Sequence, residues 1–489
     1  MRSARATVAA TACAVTDPAS LPATRPVSMR RIRREGDRAV EMMRSLRPTR
    51  GMPKAGYRVR PSGAPAAGRA AKRPHPADAT TAGPTAFLSG RPPTFPENPP
   101  AMPFRSRLFD SFFMGGFECS THRRSDGRRL DLIAGTRHDT LALRDYRQAA
   151  EHGIRSIRDG VRWHLVEAEP GRYDWSSLLP LLHAAEEAGS QVIWDLCHYG
   201  WPDHIDIWSP GFVEGFAAYA AAFARLHVEE TGRPPLLCPV NEIAFFAWAG
   251  GDVAIMNPGA TGRGDALKRQ LVRAALAGAA AVRAAVPGSL VFAIDPIIHL
   301  APRPHADPEI ARAYTAAQYH GWDMLTGRRE PELGGSPEAV DAIGVNFYWN
   351  NQWLFPDAAK PADAGPDWRP SRDALSIYDP RWRPLREMLA EVHQRYRCPV
   401  FLAETSIEGT ARPGWFRHVC EEVRAAIEAG VPVEGICLYP ILSHAGWDDD
   451  RYCPNGLFEL EEMDGKRRVD GPLAAELARQ QALMAPPLA

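Results

Sequence analysis

The chain has 489 residues, 45% of them hydrophobic and 24% charged, which is enough for one large or two ordinary globular domains and too apolar for disorder throughout. Its longest apolar runs fall short of the roughly 18 residues that a transmembrane helix needs. The formal charge is zero, with 58 basic and 58 acidic residues, but the charges are segregated. Residues 1–103 hold 18 Lys+Arg against 6 Asp+Glu, and residues 104–489 hold 40 against 52. A basic leader joins an acidic body.

The leader is rich in Ala, Arg and Pro, with a dense proline cluster from Pro92 to Pro103. Such a composition buries too little apolar surface to offset the ordering entropy of the backbone, so 1–103 is expected to be disordered. Arg2 and Arg5 ahead of Thr7–Val15 have the charge order of a secretory signal, but the middle lacks its Leu/Phe core. Met102, just before the first strand-like segment, is a candidate true start. The eight cysteines form no Cys-x-x-Cys pair and match neither a zinc site nor a small disulfide framework. Several lie in apolar strand-like runs, where a thiol acts as a small hydrophobe. A reduced, cytoplasmic protein without metal or other cofactor is expected.

The body repeats one local pattern. Ala149–Gly153 before Ile154–Ile157, Ala184–Gly189 before Gln191–Leu196, and Ala425–Gly430 before Val431–Tyr439 each read as a helix end, a glycine cap and a short apolar strand. Phe113–Glu118, Leu236–Asn241, Leu290–Asp295, Ala342–Phe347 and Pro399–Glu404 complete eight strands separated by helical patterns. This predicts an α/β fold, a (β/α)8 TIM barrel over 104–489. An open doubly wound sheet is the competing architecture. No Gly-x-Gly-x-x-Gly follows a strand and no Gly-x-x-x-x-Gly-Lys-Ser/Thr occurs, which disfavours nucleotide binding.

In a barrel of this kind chemistry sits at the C-terminal strand ends. In order, those ends carry Arg158, then Asp195-Leu196-Cys197-His198-Tyr199-Gly200-Trp201-Pro202, then Asn241-Glu242, Asn346-Phe347-Tyr348-Trp349, Glu404, and Tyr439 with Trp447 beyond. Glu242 and Glu404 each close an apolar strand, where an unpaired carboxylate is costly to desolvate. Strands four and seven face each other across the mouth. Two carboxylates flanked by Trp and Tyr meet the needs of glycosidic bond cleavage. Trp163 and Trp175 read as core aromatics, Asp295 and His299 sit after the fifth strand without an assigned role, and Asp448-Asp449-Asp450 reads as a solvated turn rather than a calcium loop.

These motifs resemble a clan A retaining glycoside hydrolase, most closely the family 1 β-glucosidase-like group, over residues 108–470. Asn241-Glu242 resembles the family's Asn-Glu-Pro motif, and Ala403-Glu404-Thr405 its Thr-Glu-Asn-Gly. Leu196-Cys197-His198 with Trp201-Pro202 is similar to Leu-Tyr-His-Trp-Asp-Leu-Pro, and Arg158 ahead of Trp163 to the Arg-Phe-Ser-Ile-Ser-Trp arginine. Ile343–Tyr348 resembles Ile-Gly-Ile-Asn-Tyr-Tyr, Gly435–Trp447 the eighth-strand segment, and Gly456-Leu457-Phe458 the closing Gly-Leu segment. The chain departs from the pattern at Ile243 after the acid/base, at Thr405-Ser406 after the nucleophile, at Tyr439 and Gly446 in the eighth-strand segment, and in the first-strand glutamine, which is not evident at Gly116–Arg123.

The resemblance implies a β-glycosidase acting by double displacement, with Glu404 as nucleophile and Glu242 as acid/base. It implies that Arg158 and Tyr348 keep Glu404 ionised, that Asn241 and His198 bind ring hydroxyls, and that Trp201, Tyr439 and Trp447 form walls or stacking faces. The expected partner is a small carbohydrate or glycoside, with neither nucleic acid nor membrane. Another clan A endo-glycanase or transglycosylase, and a non-catalytic carbohydrate-binding relative, remain alternatives. A Schiff-base lyase is disfavoured, because Lys268, Lys360 and Lys466 lie away from strand ends.

Overall fold

A computed structural model describes residues 106–355, 373–447, 449–463 and 465–485. The leader, Met102, Lys360 and Asp448 lie outside the described residues. Eight parallel strands close into a barrel: β1 (Phe113–Gly116), β2 (Ser156–Gly160), β3 (Gln191–Asp195), β4 (Leu236–Cys238), β5 (Leu290–Pro296), β6 (Ala342–Asn346), β7 (Val400–Thr405) and β8 (Val433–Leu438). Neighbours in the barrel are neighbours in sequence, and β1 closes the ring against β8. All eight expected strands are present, so the open-sheet alternative is corrected: a doubly wound sheet has free edges and this one has none. The expected bounds shift most at β2, which begins at Ser156 rather than Ile154 and includes Arg158 and Asp159.

The helices form because their apolar residues recur at helical spacing and their ends are signalled. Among them are α1 (His138–Glu151), α2 (Leu179–Ala188), α3 (Pro210–Thr231), α4 (Gly264–Ala285), α5 (His320–Leu325), α6 (Leu385–Tyr396), α7 (Arg412–Glu428) and α8 (Gly471–Met484). Proline begins α3, where the missing N–H is one that a helix leaves unpaired anyway. Gly189 and Gly232 end α2 and α3 in the left-handed conformation that glycine adopts without a Cβ clash.

Two cores result. Between strands and helices lie the larger apolar side chains, including the stacked pair Trp163 and Tyr219, 5.0 Å apart. Inside the barrel sits a smaller cluster in which Cys238 and Cys437 pack as hydrophobes beside Met114, Ile294 and Ala403. Phe109 plugs its lower end, 5.7 Å from Phe292 and 5.1 Å from Phe401, edge to face. Gly344 in β6 is required there, because a Cβ would stand 2.6 Å from Ile294 and 2.9 Å from Ala403.

Extra segments decorate the strand ends. His299–Pro302, after β5, pairs in parallel with Gln352–Phe355, after β6, outside the barrel. This clamp fixes the loop that bears Tyr348, whose N–H donates to Asn351 Oδ1 at 3.1 Å while Asn351 Nδ2 donates to the Ile297 carbonyl at 2.8 Å. Among the described residues no helix is long and apolar enough to cross a membrane.

Candidate active site

Arg158 organises the mouth of the barrel. Its side chain, fully buried near the end of β2, donates through Nη1 to Glu404 Oε1 at 2.8 Å and to the Ala403 carbonyl at 3.1 Å. Through Nη2 it donates to Asp195 Oδ2 at 2.6 Å and Asn241 Oδ1 at 3.1 Å. Burial alone would favour a neutral guanidinium, but Asp195 and Glu404 more than reverse this and hold it firmly charged. The Ala403 carbonyl is available because β7 slips against β6: Val345 pairs with Leu402 and the next residue, Asn346, with Glu404. The extra residue is a β-bulge that re-aims the strand end. It also sets Glu404 beside Asn346.

The two carboxylates have different partners. Glu404 takes the Arg158 guanidinium on one oxygen and the Tyr348 hydroxyl, 2.7 Å away, on the other. Glu242 takes the Asn346 amide at 2.7 Å on one oxygen and the Tyr199 hydroxyl on the other, both neutral donors. Burial, and then the negative charge of Glu404, push the Glu242 carboxyl well above its ordinary range. Glu242 and Glu404 keep 8% and 4% of their surface exposed.

Glu242 sits where the chain leaves β4, with φ of 50°, and Tyr199 sits beyond β3 with φ of 68°. A non-glycine residue in this left-handed region costs about 1–3 kcal/mol. Both are held: the Glu242 N–H donates to the Ile294 carbonyl at 2.9 Å, and Asn257 Nδ2 donates to the Tyr199 carbonyl at 2.9 Å. Beyond Glu242, Ile243–Phe246 forms one helical turn whose Ala244 N–H lies 3.1 and 3.0 Å from the two oxygens of Asp295. Burial pushes Asp295 up to about 7.

The remaining expected residues distribute as follows. Asn241 joins the network, its amide group 3.2 Å from His198 Nε2 and 3.1 Å from the Tyr199 hydroxyl, to which it donates. His198 Nδ1 lies 2.8 Å from Asp195 Oδ2. Tyr439 is buried, with the Arg158 guanidinium 4.8 Å from its ring centroid and the His198 ring parallel to it at 6.1 Å. Gly116 makes room for this ring: a Cβ there would stand 2.1 Å from Tyr439 Cδ2. Trp447 is half-buried against His122, Tyr199 and Phe245, and its indole N–H donates to Ser120 Oγ at 2.8 Å. Trp201 packs instead on Phe212 and Phe246 and donates to the Ile205 carbonyl at 3.0 Å, and no contact joins it to either carboxylate among the described residues.

Asp195, Tyr199 and Asn346 join the site without a role expected from the sequence, although each lies at or just past a strand end. A polar residue closing an apolar strand was the available signal.

Cys119, Asp195 and His198 offer three ligand atoms within 4.8 Å of one another. Arg158 already occupies the relevant oxygen of Asp195, and burial followed by the Asp195 charge keeps the Cys119 thiol protonated. The trio is chemically a hydrogen-bonded support rather than a set of free anionic ligands.

No family model and no curated protein matches the sequence. Solved structures do match in fold. A hyperthermophilic β-glucosidase mutant has a TM-score of 0.61 at 15% identity, covering 75% of this chain and 99% of its own. The family 1 β-glucosidase from Thermotoga maritima has a TM-score of 0.56 at 15% identity, covering 70% and 86%. The AHE enzyme from Alicyclobacillus herbarius has a TM-score of 0.59 at 17% identity, covering 78% and 99%. At such identities the likeness is one of architecture: the chain is a divergent (β/α)8 barrel built like the family 1 β-glucosidases.

Proposed function

We propose that the chain is a retaining β-glycosidase that hydrolyses a small glycoside by double displacement. The observation that carries this reading is the unequal pairing of two carboxylates at one barrel mouth. Glu404 is bound by a cation and a hydroxyl, and Glu242 only by neutral donors with its proton retained. One environment thus gives identical groups two roles. Glu404 attacks the anomeric carbon while Glu242 gives its proton to the departing oxygen. The deprotonated Glu242 then takes a proton from water, whose oxygen attacks the same carbon and releases Glu404. Asn241 and His198 would bind ring hydroxyls, with Tyr439 and Trp447 as walls. Cys119, Cys197, Cys238, Cys420 and Cys437 are buried as small apolar side chains, which favours a reducing, cytoplasmic setting.

The test is a panel of aryl β-glycosides with Glu404→Gly and added azide. Turnover by the wild type, its loss in the variant, and rescue as the inverted glycosyl azide are expected. A wild type that binds sugars but turns over none of the panel would leave a non-catalytic relative as the better description.

A further inference from the structure

A further carboxylate stands at this barrel mouth and has no role in the mechanism above. Glu118 lies two residues beyond β1, and its side chain is only 9% exposed. Its Oε1 accepts from the Ser120 N–H at 3.0 Å and from the Ser120 hydroxyl. That hydroxyl in turn accepts the indole N–H of Trp447, so a two-step relay fixes the orientation of the carboxylate. No described residue donates to Oε2. The side chain is about nine-tenths buried, and no described residue binds its second oxygen.

Its carboxylate stands beside the groups assigned to ring hydroxyls: Oε1 lies 3.8 Å from His198 Nε2, which is 3.2 Å from the Asn241 amide. The sole ion-pair partner of Glu118 among the described residues is the His198 imidazole, with Nε2 at 3.8 Å. The nearby guanidinium of Arg158 is already shared between Glu404 and Asp195. Burial works to protonate Glu118, but His198, His444 and the Ser120 hydrogen bonds outweigh it, so the group stays charged. Glu118 therefore has only imidazoles and the Ser120 hydrogen bonds beside it, and a buried carboxylate is satisfied best by a charged donor.

We infer that Glu118 forms a cation-selecting subsite and that the preferred glycone carries a protonated amino group. This rests on the glycosidase reading above. An ammonium would donate to Glu118 Oε2 while the ring lies between Tyr439 and Trp447. A neutral sugar would offer only hydroxyls there and leave the charge unbalanced.

The experiment compares kcat/KM for matched aryl glucosides and their amino-deoxy counterparts, at a pH where the amine is protonated, in wild type and Glu118→Gln. The intrinsic reactivity of each substrate cancels in the ratio between the two proteins. We expect the amino-to-neutral ratio to fall about tenfold or more in Glu118→Gln, and to fall less in Ser120→Ala, which only loosens the carboxylate. Calorimetric titration with glucosamine and with glucose supplies a reading without turnover, in which glucosamine binds more tightly to the wild type and loses that advantage in Glu118→Gln. An unchanged ratio, or equal losses on amino and neutral substrates, overturns the inference and makes Glu118 a hydroxyl ligand or a structural group. If no glycoside is turned over, the hydrolase reading fails, and the titration still decides for or against the cationic subsite. Should Glu118→Gln not fold, Ser120→Ala in the same two assays decides.

Discussion

At the scale of single residues, function here is a matter of which donor faces which carboxylate. Glu242 is kept protonated by burial and by Glu404, so as general acid it loses activity as pH rises through its raised value. The Tyr199 and Asn346 hydrogen bonds oppose that rise, because they favour the carboxylate form. Tyr199→Phe is therefore expected to move the basic limb of the kcat/KM profile upward, and a profile that does not move, or moves down, contradicts this assignment. The same burial costs stability. A carboxyl whose folded value is raised favours the folded state fully only below its ordinary value of 4.5, and that contribution is lost as pH rises above it. Glu242→Gln should melt higher than wild type at neutral pH, by about 0.5–2 kcal/mol, and the gain should shrink on acidification. The variant should also lose about 10²–10⁴-fold in turnover of substrates with poor leaving groups.

At the scale of elements, the turn after β4 and the end of β5 act together. Glu242 donates to the Ile294 carbonyl, and Asp295 receives the Ala244 N–H two residues further on. These contacts hold the left-handed turn that aims Glu242. Asp295→Ala should cut turnover by about ten- to a hundredfold through misplacement of the acid, more for poor leaving groups than for good ones. Equal losses on both would point to general destabilisation instead. A second device ties α1 to β2 and to the Phe458–Met463/Lys466–Val469 hairpin. His138 lies between Asp145 at 3.0 Å and Asp159 at 2.8 Å, all fully buried, and Arg467 donates to Asp145 at 3.0 Å. Burial disfavours the imidazolium, but the two carboxylates outweigh it and push His138 up to about 9. Its stabilisation is fully present below the ordinary histidine value of 6.5 and is lost as pH rises through about 9. His138→Gln should cost about 3–5 kcal/mol at neutral pH, since it leaves the buried Asp159 without its cation. Denaturant titration at neutral and alkaline pH checks both the size and the direction.

At the scale of the whole molecule, closure of the barrel seals its thiols. Cys119, Cys197, Cys238, Cys420 and Cys437 are buried, and burial raises each thiol above its ordinary range. A thiolate is the reactive form, so these five should resist alkylation in the native protein and become modified together as the barrel unfolds. Pulsed alkylation followed by peptide mass spectrometry reads this out, and native-state labelling of any one would show a local opening.

The sequence by itself determined the order of strands and helices, the short apolar runs with glycine caps, and the two strand-final glutamates, because these are local signals: side-chain periodicity, cap chemistry and the desolvation cost of a carboxylate. It also located Arg158, Asn241, Tyr348 and His198 at strand ends, where a closed barrel brings them together. Only the tertiary structure decided what each of them touches. The bulge that sets Glu404 beside Asn346, the left-handed turn at Tyr199 that brings its hydroxyl to Glu242, and the burial of Trp201 between Phe212 and Phe246 depend on register and on neighbours far along the chain. The physical reason is that periodicity fixes which face a residue takes within its own element, whereas the pairing of charges across a cavity is set by how distant elements close upon it.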